Sequence, residues 1–406
     1  MINKSGLLVL GVAALAAYGS LSPSVAQNAN QNWVAAWATS QQGLSETKLS
    51  NATVRMIARV TIPGDAVRIR LDNTFGTAPL TIAHATLAPR VRGPAVAVGQ
   101  VKPISFGGKA TVTIPVGQSA ESDAVALHVD AQQDLAISLF VPGANVQPSQ
   151  HGNAQTTSYV TDNGGGDQAM SEDGKAFGGK TTSMYWVKSI DVRPAAAAAA
   201  IVAFGDSITD GTCTTLDAHD RWEDVVAQRL ALNNQVNRAV INEGIGGNTI
   251  LNSASYNPAI NSPPGVERLD RDVLSHPGVS HVILFEGTND IRRGASAEQV
   301  MAGIKVIVER VHAKNLRVIG ATIIPRHNQP DDSWNDAKSK VRRQVNDYIK
   351  KGAGFDAVLD FDAIVKNPAK PDELIPAYNC GDGIHPSPIG YFLMGKSVEL
   401  GLFGAK

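Results

Sequence analysis

The sequence predicts an α/β protein in which an all-β sandwich or jelly roll precedes a five-stranded, doubly wound parallel sheet. Two patterns indicate this fold class. Residues 32–192 contain short apolar or alternating segments separated by turn residues, whereas strand-like runs alternate with helical patterns from Ile201 onward. Between the two patterns, the run from Arg193 to Ala200 contains a strand-breaking proline and six alanines. We therefore place a domain boundary between residues 193 and 198.

The composition is that of an ordinary globular protein. With 406 residues the chain exceeds the usual size of one hydrophobic core, so two domains are expected. Hydrophobic residues make up 43% and charged residues 18%, which is enough apolar material for a sizeable core. The 36 basic residues nearly balance the 37 acidic ones. This balance argues against nucleic acid or an anionic membrane surface as the main partner.

The N-terminus has the pattern of a secretory signal peptide. Lys4 precedes an apolar run from Leu7 to Ala17, and small residues follow at Ser24 and Ala26. We assign residues 1–26 to a signal peptide cleaved after Ala26, and expect the protein to be exported to the periplasm or secreted. The apolar run is too short to span a bilayer, so no integral membrane segment is expected in the mature protein.

Residues 30–193 are predicted to form the β-sandwich domain. Ala66–Leu71 and Leu135–Val141 are typical strand segments, and Gly-, Pro- and Asn-containing turns separate them from their neighbours. A last strand from Ser183 to Val192 is expected to complete this domain. No amphipathic helix of comparable strength is predicted here.

Residues 198–406 are predicted to form the parallel sheet and its helices. The predicted strands are Ile201–Phe204, Val240–Asn242, His281–Phe285, Arg317–Ile324 and Phe355–Phe361. The predicted helices are Arg221–Leu232, Ser296–Lys314, Ser333–Lys351 and about Pro388–Leu400. The second helix places these apolar residues on one face: Val300, Ile304, Ile307, Val308 and Val311. This alternation is typical of a sheet covered on both faces.

A candidate nucleophile follows the first of these strands. The turn Gly205-Asp206-Ser207 delivers a serine to the carboxyl end of the strand, where open α/β sheets bind their ligands. A serine at such a position often only caps a helix or a turn. A catalytic interpretation therefore requires a base, an orienting acid and donors for an oxyanion elsewhere in the chain.

Three further loops offer such groups. They span residues 242–249, 286–290 and 382–385, and a strand order of 2-1-3-4-5 would bring the first two beside the serine loop. Each has an alternative structural explanation. The glycines of the first loop fit a tight turn, Asn289 fits a helix cap, and His385 fits an ordinary loop. Their joint occurrence in these places favours a catalytic site.

In order and interval, these motifs resemble those of the SGNH/GDSL esterase-lipase family. The resemblance rests on Gly205-Asp206-Ser207, Gly247, Gly287-Thr288-Asn289-Asp290 and Asp382-x-x-His385, and it covers about Ala200 to the C-terminus. The segment Leu71–Leu80 also resembles the β-domain of two-domain members, some of which are predicted to be aryl esterases or acetyl-xylan esterases. Ile208 stands where the family has leucine. Because that position packs rather than reacts, the departure changes little.

The resemblance implies a flavodoxin-like hydrolase domain and a role for each motif residue. Ser207 attacks the ester carbonyl, His385 is the general base and acid, and Asp382 orients the imidazole. The family's oxyanion hole consists of the backbone N–H groups of Ser207 and Gly247 and the side-chain amide of Asn289. The implied reaction is acyl transfer through a covalent acyl-enzyme, with no metal and no cofactor.

The two cysteines are candidates for a disulfide. Cys213 lies six residues after Ser207, and Cys380 lies two residues before Asp382. In an exported protein the two thiols can form a lasting bridge, which would hold the loop of Asp382 and His385 beside the serine loop. Two unpaired buried thiols are the alternative.

The expected function is that of a serine esterase acting on a small-molecule or carbohydrate ester. It would remove acetyl or other small acyl groups from carbohydrate or from small aryl or alkyl esters. A lipase or lysophospholipase of the same family is the alternative, but the loops expected near the site are polar or charged: Arg292, Arg293, Arg326, His327, Asn328, Asp331 and Asp332. No oligomeric state is predicted.

A function of another class is a non-catalytic carbohydrate-binding protein. It would predict that catalytic positions are missing, yet all six family positions are filled. The β-domain alone could still bind sugars through stacking on Trp33, Trp37 or Trp186. Aromatic residues at strand positions more often belong to a core.

Overall fold

The computed structural model describes residues 33–252, 262–327 and 333–404, together with Met1. The predicted signal peptide, residues 1–26, lies outside this range, as do Asn328, Asp331 and Asp332. No helix in the described ranges combines the length and apolar composition needed to cross a bilayer.

The described chain before residue 194 is built from β-strands, as predicted. In order they are β1 (Val34–Ala38), β2 (Gly43–Leu44), β3 (Ala52–Val60), β4 (Gly64–Asp72), β5 (Leu80–Ile82), β6 (His84–Arg92), β7 (Ala95–Val96), β8 (Lys102–Ile104), β9 (Val112–Ile114), β10 (Ser119–Glu121), β11 (Val125–Val129), β12 (Gln133–Val141), β13 (Ser149–His151), β14 (Ser158–Val160), β15 (Gly179–Thr181), β16 (Met184–Tyr185) and β17 (Val187–Arg193).

Two antiparallel sheets form the sandwich. One has the order β1-β17-β4-β10 with β11 also on β4, and the other has the order β15-β14-β3-β12-β6-β7 with β8 also on β6. Their inner faces meet in a single apolar core to which Met56, Ile69 and Ile137 belong. A smaller sheet, β16-β13-β2, carries His151 at the end of its central strand. Every second side chain along the strands of both sheets points into this core, as expected of a sandwich.

The predicted last strand, Ser183–Val192, is interrupted. Trp186 has φ +58°, so β16 ends before it and β17 begins after it. Tertiary contacts hold this left-handed residue in place. Its N–H donates to the carbonyl of Ser149 at 2.9 Å, its own carbonyl accepts from Asp72 N at 2.7 Å, and its side chain is fully buried. A positive φ is costly for a bulky residue, and local sequence gives no sign of it.

The chain after residue 198 forms the doubly wound sheet. Its strands are β18 (Ala199–Gly205), β19 (Arg238–Gly244), β20 (Val279–Phe285), β21 (Arg317–Ala321) and β22 (Ala357–Leu359), followed by the hairpin of β23 (Lys366–Asn367) and β24 (Lys370–Leu374). The five strands of the sheet are all parallel and lie in the order β19-β18-β20-β21-β22. This is the predicted order 2-1-3-4-5, which brings the loops after β18, β19 and β20 to one edge.

Helices cover both faces of this sheet. They are α1 (Ser207–Asp210), α2 (Trp222–Leu232), α3 (Gly265–Leu269), α4 (Thr288–Arg292), α5 (Ala297–His312), α6 (Asp336–Lys350), α7 (Phe361–Val365) and α8 (Pro388–Ser397), with a π-helical turn at Asp270–Leu274 and 3-10 turns at Pro376–Tyr378 and Leu400–Phe403. Val202 and Phe204 pack on the side of α5, whereas Ile201 and Ala203 pack on the side of α2 and α8.

The fourth and fifth strands are shorter than predicted. The fourth ends at Ala321 rather than Ile324: Thr322 N still donates to the carbonyl of Leu359 in β22, but Ile323 N donates to the side chain of Asn346 instead of to a strand. In the fifth, Asp360 caps α7 with its side chain and ends the strand.

The sandwich and the parallel sheet contact each other closely. The backbone N–H of Ala35 donates to the carbonyl of Pro277 at 3.0 Å, and Val240 N donates to the Thr61 hydroxyl at 3.1 Å. Residues Trp33–Lys406 group as one compact unit. Two domains divided at residues 193–198 stay a prediction.

The buried face of α5 gives a test of the fold. Ile307 is fully buried, whereas the preceding residue, Val306, is 43% exposed. We expect Ile307→Ala to lower the free energy of unfolding by about 2–5 kcal/mol, because it leaves a cavity in a packed core. Val306→Ala should change the same quantity by less than about 0.5 kcal/mol. Urea denaturation followed by circular dichroism measures both, and equal losses would contradict this orientation of the helix.

Candidate active site

Ser207 lies at the start of α1, directly beyond the carboxyl end of β18. Asp206 is extended and caps the helix, because its side chain accepts from Ile208 N at 3.0 Å. Gly205 is confined: a Cβ there would lie 2.3 Å from the carbonyl oxygen of Phe285. The turn therefore passes close to the neighbouring strand before it presents the partly exposed Ser207.

A chain of hydrogen bonds joins Ser207 to His385 and Asp382. The Ser207 Oγ lies 2.8 Å from His385 Nε2, and His385 Nδ1 lies 2.5 Å from Asp382 Oδ2. A carboxylate accepts the Nδ1 proton, which leaves Nε2 free to accept from the serine hydroxyl. The structure thus brings together the three residues that the sequence singled out, although Ser207 lies 175 residues before Asp382 in the chain.

The environment of Asp382 favours its ionised form. Partial burial would raise the pKa of this carboxyl, but hydrogen bonds from the His385 side chain and backbone, with one from Ile384 N, outweigh it. Together they lower the pKa of Asp382 to about 2. The carboxylate is therefore present across the neutral and mildly acidic range to hold the imidazole.

A disulfide joins Cys213 and Cys380, as predicted. Their Cα atoms are 6.2 Å apart, and Cys380 N donates to the carbonyl of His385 at 3.1 Å, so the bridge holds the base of the histidine loop. Among the described residues, Cys213, Cys380 and Asp382 also form a group with the spacing of metal ligands. The two sulfurs of this group form the disulfide, and the Asp382 carboxylate accepts a hydrogen bond from His385. No thiolate is therefore left to bind a metal.

The loop after β19 is a tight turn at residues 245–248. Asn248 N donates to the carbonyl of Ile245 at 3.1 Å, and Gly247 has φ +75°, the value required at the third position of a type II turn. The Gly247 carbonyl accepts from Arg293 at 3.0 Å, and Gly246 N donates to Asp210 Oδ2 at 2.9 Å. The hydrogen bond that closes the turn does not use the Gly247 N–H.

Asn289 lies against the same turn. Its side-chain amide, buried at the start of α4, donates to the carbonyl of Asn248 at 2.9 Å. An amide nitrogen has two hydrogens, so this bond uses one of its two donors. The next residue, Asp290, accepts from Ile250 N and Leu251 N with its two oxygens, both at 2.9 Å. Gly247 and Asn289 are thus brought together on one side of the site.

Arg268 is a buried residue that the sequence reasoning missed. Its Nε donates to the Asn248 side chain at 2.8 Å, one terminal nitrogen donates to the carbonyl of Glu243 at 2.8 Å, and the other donates to the carbonyl of Gly205 at 2.8 Å. The guanidinium also lies 4.1 Å from the centre of the Phe204 ring. It therefore ties the strand before Ser207 to the turn that contains Gly247.

Three buried carboxyls lie behind the site. Burial raises the pKa of Asp206 to about 6, although the hydrogen bond from Ile208 N and the positive charges nearby oppose it. Burial also raises the pKa of Glu286 to about 8 and that of Asp290 to about 7, and in both the charge of Asp206 adds to the effect. Within the described part of the chain, neither oxygen of Glu286 has a hydrogen-bond partner.

Three residues for which the sequence allowed a surface role are buried in the structure. Arg326, expected in a polar loop, is buried, and its guanidinium lies 4.9 Å from the Trp334 ring. Trp33 and Trp186 are buried in or beside the sandwich, so they present no open ring to a sugar. Of the residues that the sequence reasoning missed, Asp210 could have been noticed as a carboxylate three positions after Ser207. Arg268 offered no such signal, because its partners are remote in sequence.

A doubly wound sheet with a hydrogen-bonded serine, histidine and aspartate beyond its strands is the arrangement of a hydrolase. Residues 203–393 match the model of the GDSL-like lipase/acylhydrolase family. This part of the chain is therefore a GDSL-like lipase/acylhydrolase domain, as its four motifs indicated. A comparison with curated proteins found no match.

Several solved structures are similar to about half of the chain. One is an acetyl xylan esterase (21% identity, TM-score 0.37, 49% of this chain and 96% of that chain). A second is a lipase/acylhydrolase from Enterococcus faecalis (22%, 0.36, 49% and 92%). A third is a member of the lipolytic protein G-D-S-L family from Veillonella parvula DSM 2008 (22%, 0.35, 49% and 96%). The family assignment rests on the family model and not on these distant likenesses.

The raised pKa of Glu286 predicts a dependence of stability on pH. The unfolded chain ionises this group near 4.5, whereas the folded protein keeps the proton until about pH 8. The folded state therefore loses stability as pH rises through this window. The side chain of Glu286→Gln cannot ionise. The difference in free energy of unfolding, variant minus wild type, should therefore increase from pH 5 to pH 8, by up to a few kcal/mol at about 1.4 kcal/mol per pKa unit.

Urea denaturation at pH 5 and pH 8 measures this difference. Glu298→Gln is the control, because hydrogen bonds from its own backbone and from Ser296 lower the pKa of the exposed Glu298. That group is ionised in both states throughout the window, so its variant should show no such change. A gap between wild type and Glu286→Gln that is the same at both pH values would contradict the prediction.

Proposed function

We propose that the protein is a serine esterase that hydrolyses carboxylic esters through a covalent acyl-enzyme. The observation that carries this proposal is the hydrogen-bonded chain from Ser207 through His385 to Asp382, at 2.8 and 2.5 Å. In this proposal Ser207 is the nucleophile, His385 the general base and acid, and Asp382 the group that orients and stabilises the imidazolium. The match of residues 203–393 to a lipase/acylhydrolase family supports it.

The proposed reaction has two steps. Ser207 Oγ attacks the carbonyl carbon while His385 Nε2 takes its proton, and the tetrahedral intermediate collapses as the leaving alcohol receives that proton. Water then attacks the acyl-serine, His385 again takes and returns a proton, and the carboxylic acid leaves. The low pKa of Asp382 supports this scheme, because its charge is available whenever the imidazole becomes protonated.

The developing oxyanion needs donors that are already in place. We propose the backbone N–H groups of Ser207 and Gly247 and the side-chain amide of Asn289. The fixed turn at residues 245–248 supports Gly247 in this role, and the bond from Asn289 to the carbonyl of Asn248 supports a fixed amide. Rigid donors suit the task, since they need no reorganisation during the reaction.

The proposed substrates are acetyl or other small acyl esters of carbohydrate, or small aryl or alkyl esters. One observation favours a second candidate, a lipase or lysophospholipase. Leu216, Ile389 and Phe392 are 44–49% exposed, and they lie on the segments that follow Cys213 and His385. An apolar surface of this kind suits a longer acyl chain.

We also propose that the protein is exported. The Cys213–Cys380 bridge supports this, because disulfides persist in oxidising compartments. The predicted signal peptide of residues 1–26 is consistent with the same route.

Two substitutions test the assignment of the nucleophile and the oxyanion hole. Ser207→Ala should lower kcat/KM for p-nitrophenyl acetate by at least about 1000-fold, since it removes the attacking atom. Asn289→Ala should lower kcat by about 100-fold or more, because one oxyanion donor is lost. Ser387→Ala is the matched control: it removes a hydroxyl that donates to the carbonyl of Ala377 in the 3-10 turn at Pro376–Tyr378, and should leave the rate unchanged. Full activity in Ser207→Ala would refute the mechanism.

The acyl preference separates the two substrate classes. We expect the highest kcat/KM for acetyl and other short p-nitrophenyl esters, with a fall of about tenfold or more towards palmitoyl, and release of acetate from acetylated xylan. The measurement is a series of p-nitrophenyl esters from two to sixteen carbons. A maximum at long chains, without acetate release from xylan, would favour the lipase.

A further inference from the structure

A buried histidine of the β-sandwich contacts the helix that begins at Ser207. His151, at the end of β13, is 2% exposed, and both of its ring nitrogens are engaged. Its Nδ1 lies 2.8 Å from the carbonyl oxygen of Ser40, and its Nε2 lies 2.9 Å from Asp210 Oδ1. A carbonyl oxygen can only accept, so Nδ1 carries a hydrogen and Nε2 faces the carboxylate. The imidazole thus bridges the sandwich and helix α1.

Asp210 carries this contact to the turn beside the active site. It is the last residue of α1, three positions after Ser207, and it is 5% exposed. One of its oxygens bonds His151, and the other accepts from Gly246 N at 2.9 Å. The carboxylate therefore fixes the residue that precedes Gly247, whose N–H is a proposed oxyanion donor.

The packing around Asp210 leaves little freedom to absorb a change. A Cβ on Gly244 would lie 2.3 Å from Asp210 N, so the end of β19 rests directly on the backbone of α1. Arg221 Nε also donates to the Asp210 carbonyl at 2.7 Å, which holds the helix end from the other side. A reoriented Asp210 side chain would consequently release Gly246 rather than find a new acceptor position.

The charge of Asp210 makes its partner important. An unbalanced carboxylate near the oxyanion hole would oppose the negative charge that develops there. His151 offsets it: burial alone would lower the pKa of this imidazole, but the charge of Asp210 and the hydrogen bond to it raise the pKa above its usual value. The Ser40 carbonyl adds to this effect, while the charge of Arg221 opposes it.

From these contacts we infer that His151 is a positioning residue for ester hydrolysis. It acts through Asp210 on the Gly246–Gly247 turn, so that the β-sandwich contributes to the geometry of the oxyanion hole. The inference rests on the proposed esterase function. A merely structural His151 would hold the sandwich against the α/β part and affect stability alone.

Two substitutions separate the contacts of the ring in the full-length protein. His151→Asn keeps a donor near the position of Nδ1 for the Ser40 carbonyl and loses the bond to Asp210. His151→Gln keeps a donor near the position of Nε2 for Asp210 and loses the bond to Ser40. His128→Asn is the matched control, since His128 makes a similar bond to Asp65 on the sandwich surface, where its side chain is 67% exposed.

We expect His151→Asn to lower kcat for p-nitrophenyl acetate by about 10- to 100-fold with KM within about threefold, because the oxyanion donors act on the transition state. His151→Gln keeps the bond to Asp210 without the charge that the imidazole can carry, so its kcat should lie between those of His151→Asn and wild type, and His128→Asn should match wild type. Thermal melting of each variant shows that it is folded at the assay temperature.

The outcomes distinguish this inference from the proposed function. If wild type hydrolyses the ester, Ser207→Ala does not, and folded His151→Asn matches wild type, the positioning role is refuted while the esterase stands. If wild type shows no hydrolysis, the proposed function itself fails. If His151→Asn does not fold, Asp210→Ala tests the same route, because it removes the acceptor of Gly246 N: a loss of kcat of about tenfold or more with KM within about threefold supports the role, and a kcat within about threefold refutes it.

Discussion

The guanidinium of Arg268 bonds three parts of the chain at once: the end of β18 before Ser207, the segment from Glu243 to Asn248, and the sandwich. Its five N–H groups form a fixed fork, and here they bond Asn248, Glu243, Gly205 and, at 3.0 Å, the hydroxyl of Ser40 in the sandwich. All of these acceptors are shielded from water. Each would cost about 1–3 kcal/mol if left unpaired. The strand before the serine, the turn at residues 245–248 and the sandwich are therefore joined through one buried cation.

That cation also explains how the site tolerates buried carboxyls. Arg268 lies 3.9 Å from Glu286 and 3.5 Å from Asp272, and its charge opposes the rise in the pKa values of Asp206 and Glu286. The negative charge of Asp272 is offset more fully than that of Asp206 or Glu286. Burial would raise the pKa of Asp272, but Arg271 first, then Lys188 and Arg268, hold it well below its usual value. Charge is thus concentrated where the sandwich meets the α/β part.

Local signals explain which features could be predicted from the sequence. The turn at Ser207 follows an apolar strand, and the alternation of strands and helices indicates a parallel sheet. The order 2-1-3-4-5, which brings the first loops together, is a hypothesis that the structure confirms. Trp186 could not be predicted, because tertiary hydrogen bonds impose its left-handed conformation. Arg268 and Ser40 are 228 positions apart, and His151 and Asp210 are 59 apart. No spacing rule links such partners, and isolated polar residues give no sign of their burial.

These long-range contacts change how the sandwich should be viewed. Ser40 donates to the Glu243 carboxylate, whose other oxygen lies 2.6 Å from His276 Nε2, and Lys188 lies 3.7 Å from both Asp72 and Asp272. Buried charges of this kind are costly unless every partner is present. An accessory module joined only by a linker would make few contacts with the hydrolase part. Here removal of the sandwich would take the Ser40 hydroxyl from Glu243 and the charge of Lys188 from Asp272, so the sandwich contributes to the stability of the hydrolase part.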